Sequence, residues 1–435
     1  MSDGNDLAEV MLGLPGFRVL DVVETDVELV VHVETIASFA GCRACGTRAL
    51  AHDRLEVAVR DLPCFGRPSR LVWRKRRWRC PEPACDAKTW TETSEHLDAQ
   101  VVLTRRAGAD ACRQVGQHAR PVSRVAAELG VCWWTVMNAV IEHGTPLVDD
   151  PDRIGEVRQL GVDETSFLKA NRQHATTYVT GLVDLERHVL IDMIEGHTGA
   201  DLRRWTSNAD PDWLAGIEVV ATDLTQNYRA TLASQLDHAR LVADPFHVVR
   251  VANRSLDKVR QRVQMDVLGH RGRRHDPLYR IRKLLLIGEE RLDDRGRERL
   301  ALGLRVGDPD GEVNTAWLAK ENVRDVYLAE DVEEAAVLLD TTIAGCVATR
   351  IPEHDVLGNT LRQWRTEILA HHDSGASNGP TEALNLCVKK VKRCGHGFRT
   401  FEHYRLRVLL HAGGVTWPDQ PRPPRIRTRR PHSNA

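Results

Sequence analysis

The chain has 435 residues, 42% of them hydrophobic and 28% charged, with a formal net charge of −1. That length accommodates two or three domains, each with its own core. The balanced charge excludes a whole-protein basic field, so any nucleic-acid surface must be local. No apolar run of about 18 residues occurs, so no membrane-spanning helix is predicted.

The basic residues are clustered. Residues 67–79 carry seven Arg or Lys and no acid, residues 250–283 are rich in Arg, and residues 389–407 are strongly basic again. The acidic segment 321–340 offsets them. Each run alone reads as a solvated face. Three runs flanking the other motifs predict a track for double-stranded DNA. The N-terminus lacks the basic-then-apolar pattern of a secretory signal. Ten cysteines without such a signal point to a reducing cytosol, where paired Cys-x-x-Cys spacing suggests metal before disulfide.

Residues 1–96 read as a small metal-stabilised domain. Strand-like alternation places Val27, Leu29, Val31 and Val33 on one face. Cys42-Arg-Ala-Cys45-Gly46 is a knuckle, and Cys80 and Cys85 form a second pair. Two thiolate pairs on turns, separated by strands, fit a structural zinc ribbon holding Zn²⁺ on Cys42, Cys45, Cys80 and Cys85. The second gap is looser than the usual two residues, and His52 and Cys64 are rival ligands. Between the pairs, Arg74, Arg76 and Arg77 are interleaved with Trp73 and Trp78 and are candidate phosphate contacts.

Residues 97–150 read as helical and contain a helix-turn-helix pattern: an apolar segment from Pro121, a turn at Gly130, and a second helix with Val136 and Val140 buried. Ala126 and Ala127 let the helices approach. Trp133, Trp134, Thr135 and Asn138 are then the groove-facing DNA candidates. Cys132 stands where a better helix N-cap is expected, and an ordinary helical hairpin is the plainer alternative. Residues 149–153 read as a linker.

After the linker the period becomes strand-like. Three strands in a meander, then alternating helix and strand, predict an α/β domain with a mixed sheet. Asp163 lies within the first strand and Asp223 ends the fourth. If those strands are neighbours, both carboxylates converge at one end of the sheet. Far downstream, a turn-forming cluster at residues 374–380 precedes a helix on which Glu382, Asn385, Lys389 and Arg393 share a face. Hard oxygen ligands of this kind suit Mg²⁺ or Mn²⁺. With Glu382 they can hold two metals for an in-line displacement at phosphorus. His247 either contacts the scissile phosphate or caps a helix. Glu164 ranks behind Asp163 because strand alternation turns it to the other face, and Asp244 reads as a structural cap.

These residues together resemble a DDE transposase of the ISL-three type of bacterial insertion sequences. The resemblance covers nearly the whole chain. It rests on the four-cysteine ribbon, the helix-turn-helix, Gly161-Val-Asp-Glu, Thr222-Asp-Leu with Tyr228, Ala243-Asp-Pro-Phe-His-Val-Val, and Ser377-Asn-Gly-Pro-Thr-Glu-Ala-Leu-Asn with Lys392-Arg393. Pro245 departs from the Lys or Arg usual before Phe246. The resemblance implies a ribonuclease-H-like catalytic fold with the acidic triad Asp163, Asp223 and Glu382. It also implies a helical insertion over residues 258–370, flanked by catalytic segments 151–257 and 371–415. Lys389 and Arg393 would meet DNA phosphates. Residues 416–435 read as a basic disordered tail.

The implied activity is binding of terminal inverted repeats, metal-dependent strand cleavage and strand transfer, by a homodimer or higher oligomer in the bacterial cytosol. The alternative is a zinc-ribbon and helix-turn-helix regulator with an inactive nuclease-like fold.

Overall fold

The computed structural model describes residues 3–36, 39–97, 101–170, 172 and 175–418; the predicted basic tail lies almost wholly outside them. Contacts divide the chain into two compact units, residues 1–153 with 390–435, and residues 154–389. No helix is long and apolar enough to cross a membrane among the described residues.

The first unit begins with a short helix and a five-stranded mixed sheet. Its strands are β1 (Phe17–Glu24), β2 (Leu29–Thr35), β3 (Leu50–Cys64), β4 (Arg67–Arg79) and β5 (Thr89–Thr91). The order is β1-β2-β4-β3, with β5 also paired to β4. The β3–β4 hairpin closes through Phe65 and Gly66, both at positive φ (52° and 79°). That is the type I′ pattern, whose twist matches the flanking strands. The conformation is costly for a phenylalanine, which is why no hairpin signal is legible at Phe65. Leu71 and Trp73 of β4 pack with Phe17, Val19, Val31, Val33 and Leu97 into one buried cluster. Val27, expected on the buried face, is 73% exposed in the turn before β2, where the Thr25 hydroxyl and the Glu28 backbone tie the chain.

Three helices follow: Arg105–Gly116, Val122–Leu129 and Trp133–Val148. The Thr104 hydroxyl caps the first by accepting from the Ala107 N–H. Gly130, at φ 66°, ends the second in the left-handed conformation that favours glycine. Cys132 makes no side-chain cap bond to the third. Val136 and Val140 of this third helix are buried.

The chain after Lys389 belongs with this unit. The Phe401–Ala412 helix lies against Arg105–Gly116 and Trp133–Val148. Gly116 and Gly144 open its seat: a Cβ on either would stand 2.9 or 2.8 Å from Leu410. The His411 ring also bonds the Gln117 carbonyl at 2.9 Å.

The second unit is built on β6 (Gln159–Leu168), β7 (Thr177–Asp184), β8 (Val189–Glu195), β9 (Val219–Thr222) and β10 (Arg240–Ala243), in the order β10-β9-β6-β7-β8. β6, β7 and β8 form the antiparallel meander, while β9 and β10 add in parallel. The parallel additions require crossovers, and the helices Gly199–Thr206 and Gln226–Gln235 supply them. Leu160, Val162, Leu182, Ile191, Val220, Tyr228 and Leu232 share one core on this sheet. A 24-residue helix, Pro245–Leu268, then leads into a helical region running to Ser374. Its helices bury two further apolar clusters, one around Leu339, Leu361 and Trp364 and one around Leu256, Val259 and Trp317. Gly379–Cys394 follows and returns to the sheet.

Candidate active site and metal centre

Two groups of ligating side chains lie in separate units. In the first unit, Cys42, Cys45, Cys80 and Cys85 bring their sulfurs within 4.8 Å of one another. Cys42 and Cys85 are 3.7 Å apart, Cys45 and Cys80 3.6 Å. Zn–S bonds of about 2.3 Å put tetrahedral sulfurs about 3.8 Å apart, so the spacing is that of a zinc thiolate site rather than a disulfide. Gly46, at φ 75°, makes the knuckle, its N–H donating to the Cys42 carbonyl at 2.9 Å. Hydrogen bonds from Thr47 lower the Cys45 pKa to about 6. Cys85 is pushed up to about 12: a backbone bond from Ala87 acts against this, but burial and the neighbouring thiols prevail. The rivals His52 and Cys64 lie outside this cluster.

The carboxylates lie in the second unit. Val162 of β6 pairs with Thr222 of β9 in parallel register, so Asp163 and Asp223 follow at the same level on neighbouring strands. The third acid is placed by a close approach. Gly161 has no side chain because a Cβ there would lie 2.5 Å from the Thr381 hydroxyl and 3.0 Å from the Asn378 Oδ1. Asn378 is buried, donates its N–H to Asp244 Oδ1 at 2.7 Å, and accepts from the Thr381 hydroxyl at 2.8 Å. Asp244 Oδ2 accepts the His247 N–H at the start of the Pro245–Leu268 helix. One buried carboxylate thus ties two helix starts to the sheet edge. Glu382 and Asn385 then border the same cavity of about 730 Å³ as Asp163, Asp223 and His247.

Within it the bonds are specific. Asp163 Oδ1 accepts the Glu164 N–H at 2.8 Å, and Oδ2 accepts from the Asn385 side-chain amide at 2.6 Å. The Thr165 hydroxyl donates to Asn385 Oδ1 at 2.8 Å and fixes the amide's orientation. Burial, and then the charge of Asp223, raise the Asp163 pKa to about 6. His247 Nδ1 lies 2.7 Å from Asp223 Oδ2, and its Nε2 is 3.7 Å from Glu382 Oε1. Burial pulls the His247 pKa down, but the hydrogen bond and charge of Asp223 outweigh it and the net direction is up. Asp223 Oδ1 is buried without a partner among the described residues. An unpartnered buried carboxylate oxygen, in a cavity that Asp163 and Glu382 also border, belongs to a donor set suited to a hard dication. The three acids do not yet meet at ligand distance, since the imidazole of His247 lies between Asp223 and Glu382.

Glu164 also borders the cavity, contrary to the simple alternation expected of β6. Tyr228 does not reach it as a reactive group: it is buried and its hydroxyl bonds Thr180 at 2.7 Å. Sequence reasoning assigned no role to Thr165 or Asn378, and marked Arg250, which also borders the cavity, only as the start of a basic run. Asn378 sat within the Ser377-Asn-Gly-Pro-Thr motif, and that was its only signal.

The other DNA candidates scatter. Arg76 is 9% exposed and bonds Thr35 and Glu34, so it serves the sheet and is not presented to a phosphate. The interleaved Trp73 and Trp78 are likewise buried. Arg74 and Arg77 are half-buried, and Arg77 bonds the Thr89 hydroxyl at 3.2 Å. Lys389 is exposed at the edge of the carboxylate cavity, and Arg393 is exposed in the last turn of its helix. Thr135 and Asn138 border one cavity of the first unit, Trp133 and Trp134 another.

Comparison with known proteins matches both regions. A family profile for an ISL3-type DDE transposase covers residues 160–408. A second profile, the zinc-finger of transposase IS204/IS1001/IS1096/IS1165, covers residues 39–85. The transposase for insertion sequence element IS1001 of Bordetella parapertussis is 24% identical over 87% of this chain and 90% of its own length. That for IS1557 of Mycobacterium tuberculosis is 27% identical over 62% of this chain, which spans 63% of that relative's length. A chain of the Drosophila P element transposase strand transfer complex matches 61% of this chain and 80% of its own at 10% identity, with a TM-score of 0.33.

Proposed function

The chain belongs to the ISL3 family of DDE transposases, and from that premise we propose that it binds the terminal inverted repeats of an insertion sequence and performs strand cleavage and strand transfer. The observation that carries this is the parallel register of Val162 with Thr222, which sets Asp163 beside Asp223, with Glu382 bordering the same cavity. On this reading the unit around β6–β10 is a ribonuclease-H-like catalytic domain. The ribbon and helix-turn-helix of the first unit hold double-stranded DNA, and pairing two ends calls for a dimer or larger assembly.

Asp163, Asp223 and Glu382 would hold Mg²⁺ or Mn²⁺, which supplies Lewis-acid stabilisation of charge on phosphate and lowers the pKa of an attacking hydroxyl or water. The chain's own residues do the rest. Asn385 orients the Asp163 carboxylate, with Thr165 fixing the amide. His247, in contact with Asp223, is placed to move a proton at the phosphate oxygens. Lys389 and Arg250, at the cavity edge, attract the phosphodiester backbone.

The test uses purified protein and labelled DNA carrying the element's own end, with Mg²⁺ or EDTA. Wild type should give metal-dependent nicks and joined products. Asp163→Ala, Asp223→Ala and Glu382→Ala should each abolish them while end binding survives. End binding without chemistry in any metal would favour the regulator. Chemistry that survives loss of Glu382 would remove it from the triad.

A further inference from the structure

The first unit contains a cavity of about 580 Å³ beside the start of the Trp133–Val148 helix, within the usual size range of small-molecule pockets, about 300–1,000 Å³. One wall is aromatic. Trp133 and Trp134 meet edge to face at 4.9 Å, and the His403 ring lies 6.2 and 6.0 Å from them. Both tryptophans are nevertheless 40% and 60% exposed. Two large rings left open to solvent on a helix that buries Val136 and Met137 are a platform without an occupant.

The same lining holds a buried cation. Arg407 is 3% exposed, its Nη2 donates to the Arg120 carbonyl at 3.2 Å, and its guanidinium lies 4.9 Å over the Phe398 ring. Among the described residues its Nε has no partner and no carboxylate lies within ion-pair distance. Burial lowers its pKa to about 10, which leaves it charged at neutral pH. An uncompensated buried guanidinium is destabilising, and an anion beside it offsets that cost. Among the described residues no acidic side chain lines the cavity, whereas Arg399 and His396 do. An aromatic platform and an unpaired cation in one cavity suit a ligand that is flat in one part and anionic in another.

We infer that this cavity takes one unstacked nucleotide of a DNA strand, its base against Trp134 and its phosphate toward Arg407. Stacking on a ring needs a free π-face, which a base inside a duplex does not offer and an extruded or overhanging one does. The cavity would therefore read strand structure rather than sequence. The inference rests on the proposed function only in taking DNA as the source of the nucleotide.

The test uses the full-length protein and duplexes of one sequence, either blunt or with a single 2-aminopurine overhang carrying a 5′-phosphate. Wild type should bind the overhang form about tenfold more tightly, as expected for one stacked base, and should quench its fluorescence. Trp134→Ala should bring that ratio close to one and abolish the quenching, while Trp134→Phe, which keeps a ring, should retain most of both. Removing the 5′-phosphate should weaken wild type, and in Arg407→Gln it should make no difference. A wild-type ratio of one, or a tenfold ratio that persists in Trp134→Ala, would overturn the inference. Displacement of the overhang by free 2-aminopurine deoxyribonucleotide at equal concentration would assign the cavity to free nucleotides and overturn the DNA source. Metal-dependent cleavage with no overhang preference would defeat this inference alone; overhang preference without cleavage would defeat the proposed function alone.

Discussion

The two ligand clusters are assembled differently. The four sulfurs stand at the mutual distances a tetrahedral dication requires, on a knuckle and a turn braced by backbone bonds. The three carboxylates share a cavity but are kept from ligand distance, with His247 between two of them. A structural site gains from rigid closure, because the binding energy of the metal becomes folding energy. On the proposed function, the carboxylate site must leave positions for water and phosphate oxygens, which a closed set of donors would not. The contrast predicts that perturbing the first cluster damages the fold and perturbing the second damages chemistry.

The largest expected effect is on the ribbon. Cys80→Ser removes one of four thiolates, and structural zinc sites contribute about 10–16 kcal/mol to small domains of this kind. Bound zinc measured by atomic emission should fall from one per chain to near zero, and residues 39–85 should become sensitive to protease. Zinc retained at full occupancy in this variant would mean the cluster is not the zinc site.

Next comes the carboxylate cavity. Asp223→Asn should reduce cleavage to background, because it removes one of the carboxylates that border the cavity, and with it the charge that His247 meets at 2.7 Å. Added Mg²⁺ should raise the melting temperature of wild type and leave that of the variant nearly unmoved. Equal shifts in both proteins would show that the cation binds elsewhere.

A smaller effect follows from Asp163. Its pKa in the folded chain, about 6, lies above the value of 3.8 expected for the free carboxyl. The folded state therefore keeps the proton longer, and the associated stability is full below pH 4 and lost as pH rises through 6. At about 1.4 kcal/mol per unit this amounts to about 3 kcal/mol. In EDTA, wild type should lose about this much stability between pH 4 and pH 7 relative to Asp163→Asn, read from urea midpoints. Parallel pH profiles for the two proteins would mean that burial does not hold the proton on Asp163.

Sequence reasoning reached the two clusters unequally. Cysteine spacing carries its chemistry in local geometry, so Cys42, Cys45, Cys80 and Cys85 were legible one by one. The acids were legible only as a condition: Asp163 and Asp223 converge if β6 and β9 are neighbours, and strand order is a long-range property. The DNA-facing residues were the least legible. Charge pattern marked Arg76, but the side chain turns inward to Glu34, and nothing in the run distinguishes it from Arg74. Trp73 and Trp78 likewise serve the core. The packing of the Phe401–Ala412 helix on Arg105–Gly116 and Trp133–Val148 had no sequence signal: the reason for Gly116 and Gly144 is Leu410, more than 250 residues away.

Asn385 gives the finest probe of the contrast, because it acts on the carboxylate site without belonging to either ligand set. Its amide donates to Asp163 Oδ2 at 2.6 Å while its own oxygen accepts from Thr165, so it sets both the orientation and the charge of the first acid. Removing a partner that orients a metal ligand typically costs 10–100-fold in metal affinity or activity. Asn385→Ala should therefore slow cleavage about tenfold at limiting Mg²⁺, with part of the loss recovered at saturating Mg²⁺. The same bond favours the ionised form of Asp163, so its loss should also move the Asp163 titration in EDTA to higher pH. A residue that only fills space would leave that titration in place. Thr165→Val should produce the same pair of changes in weaker form, since it removes the bond that holds the amide in register while leaving the amide itself.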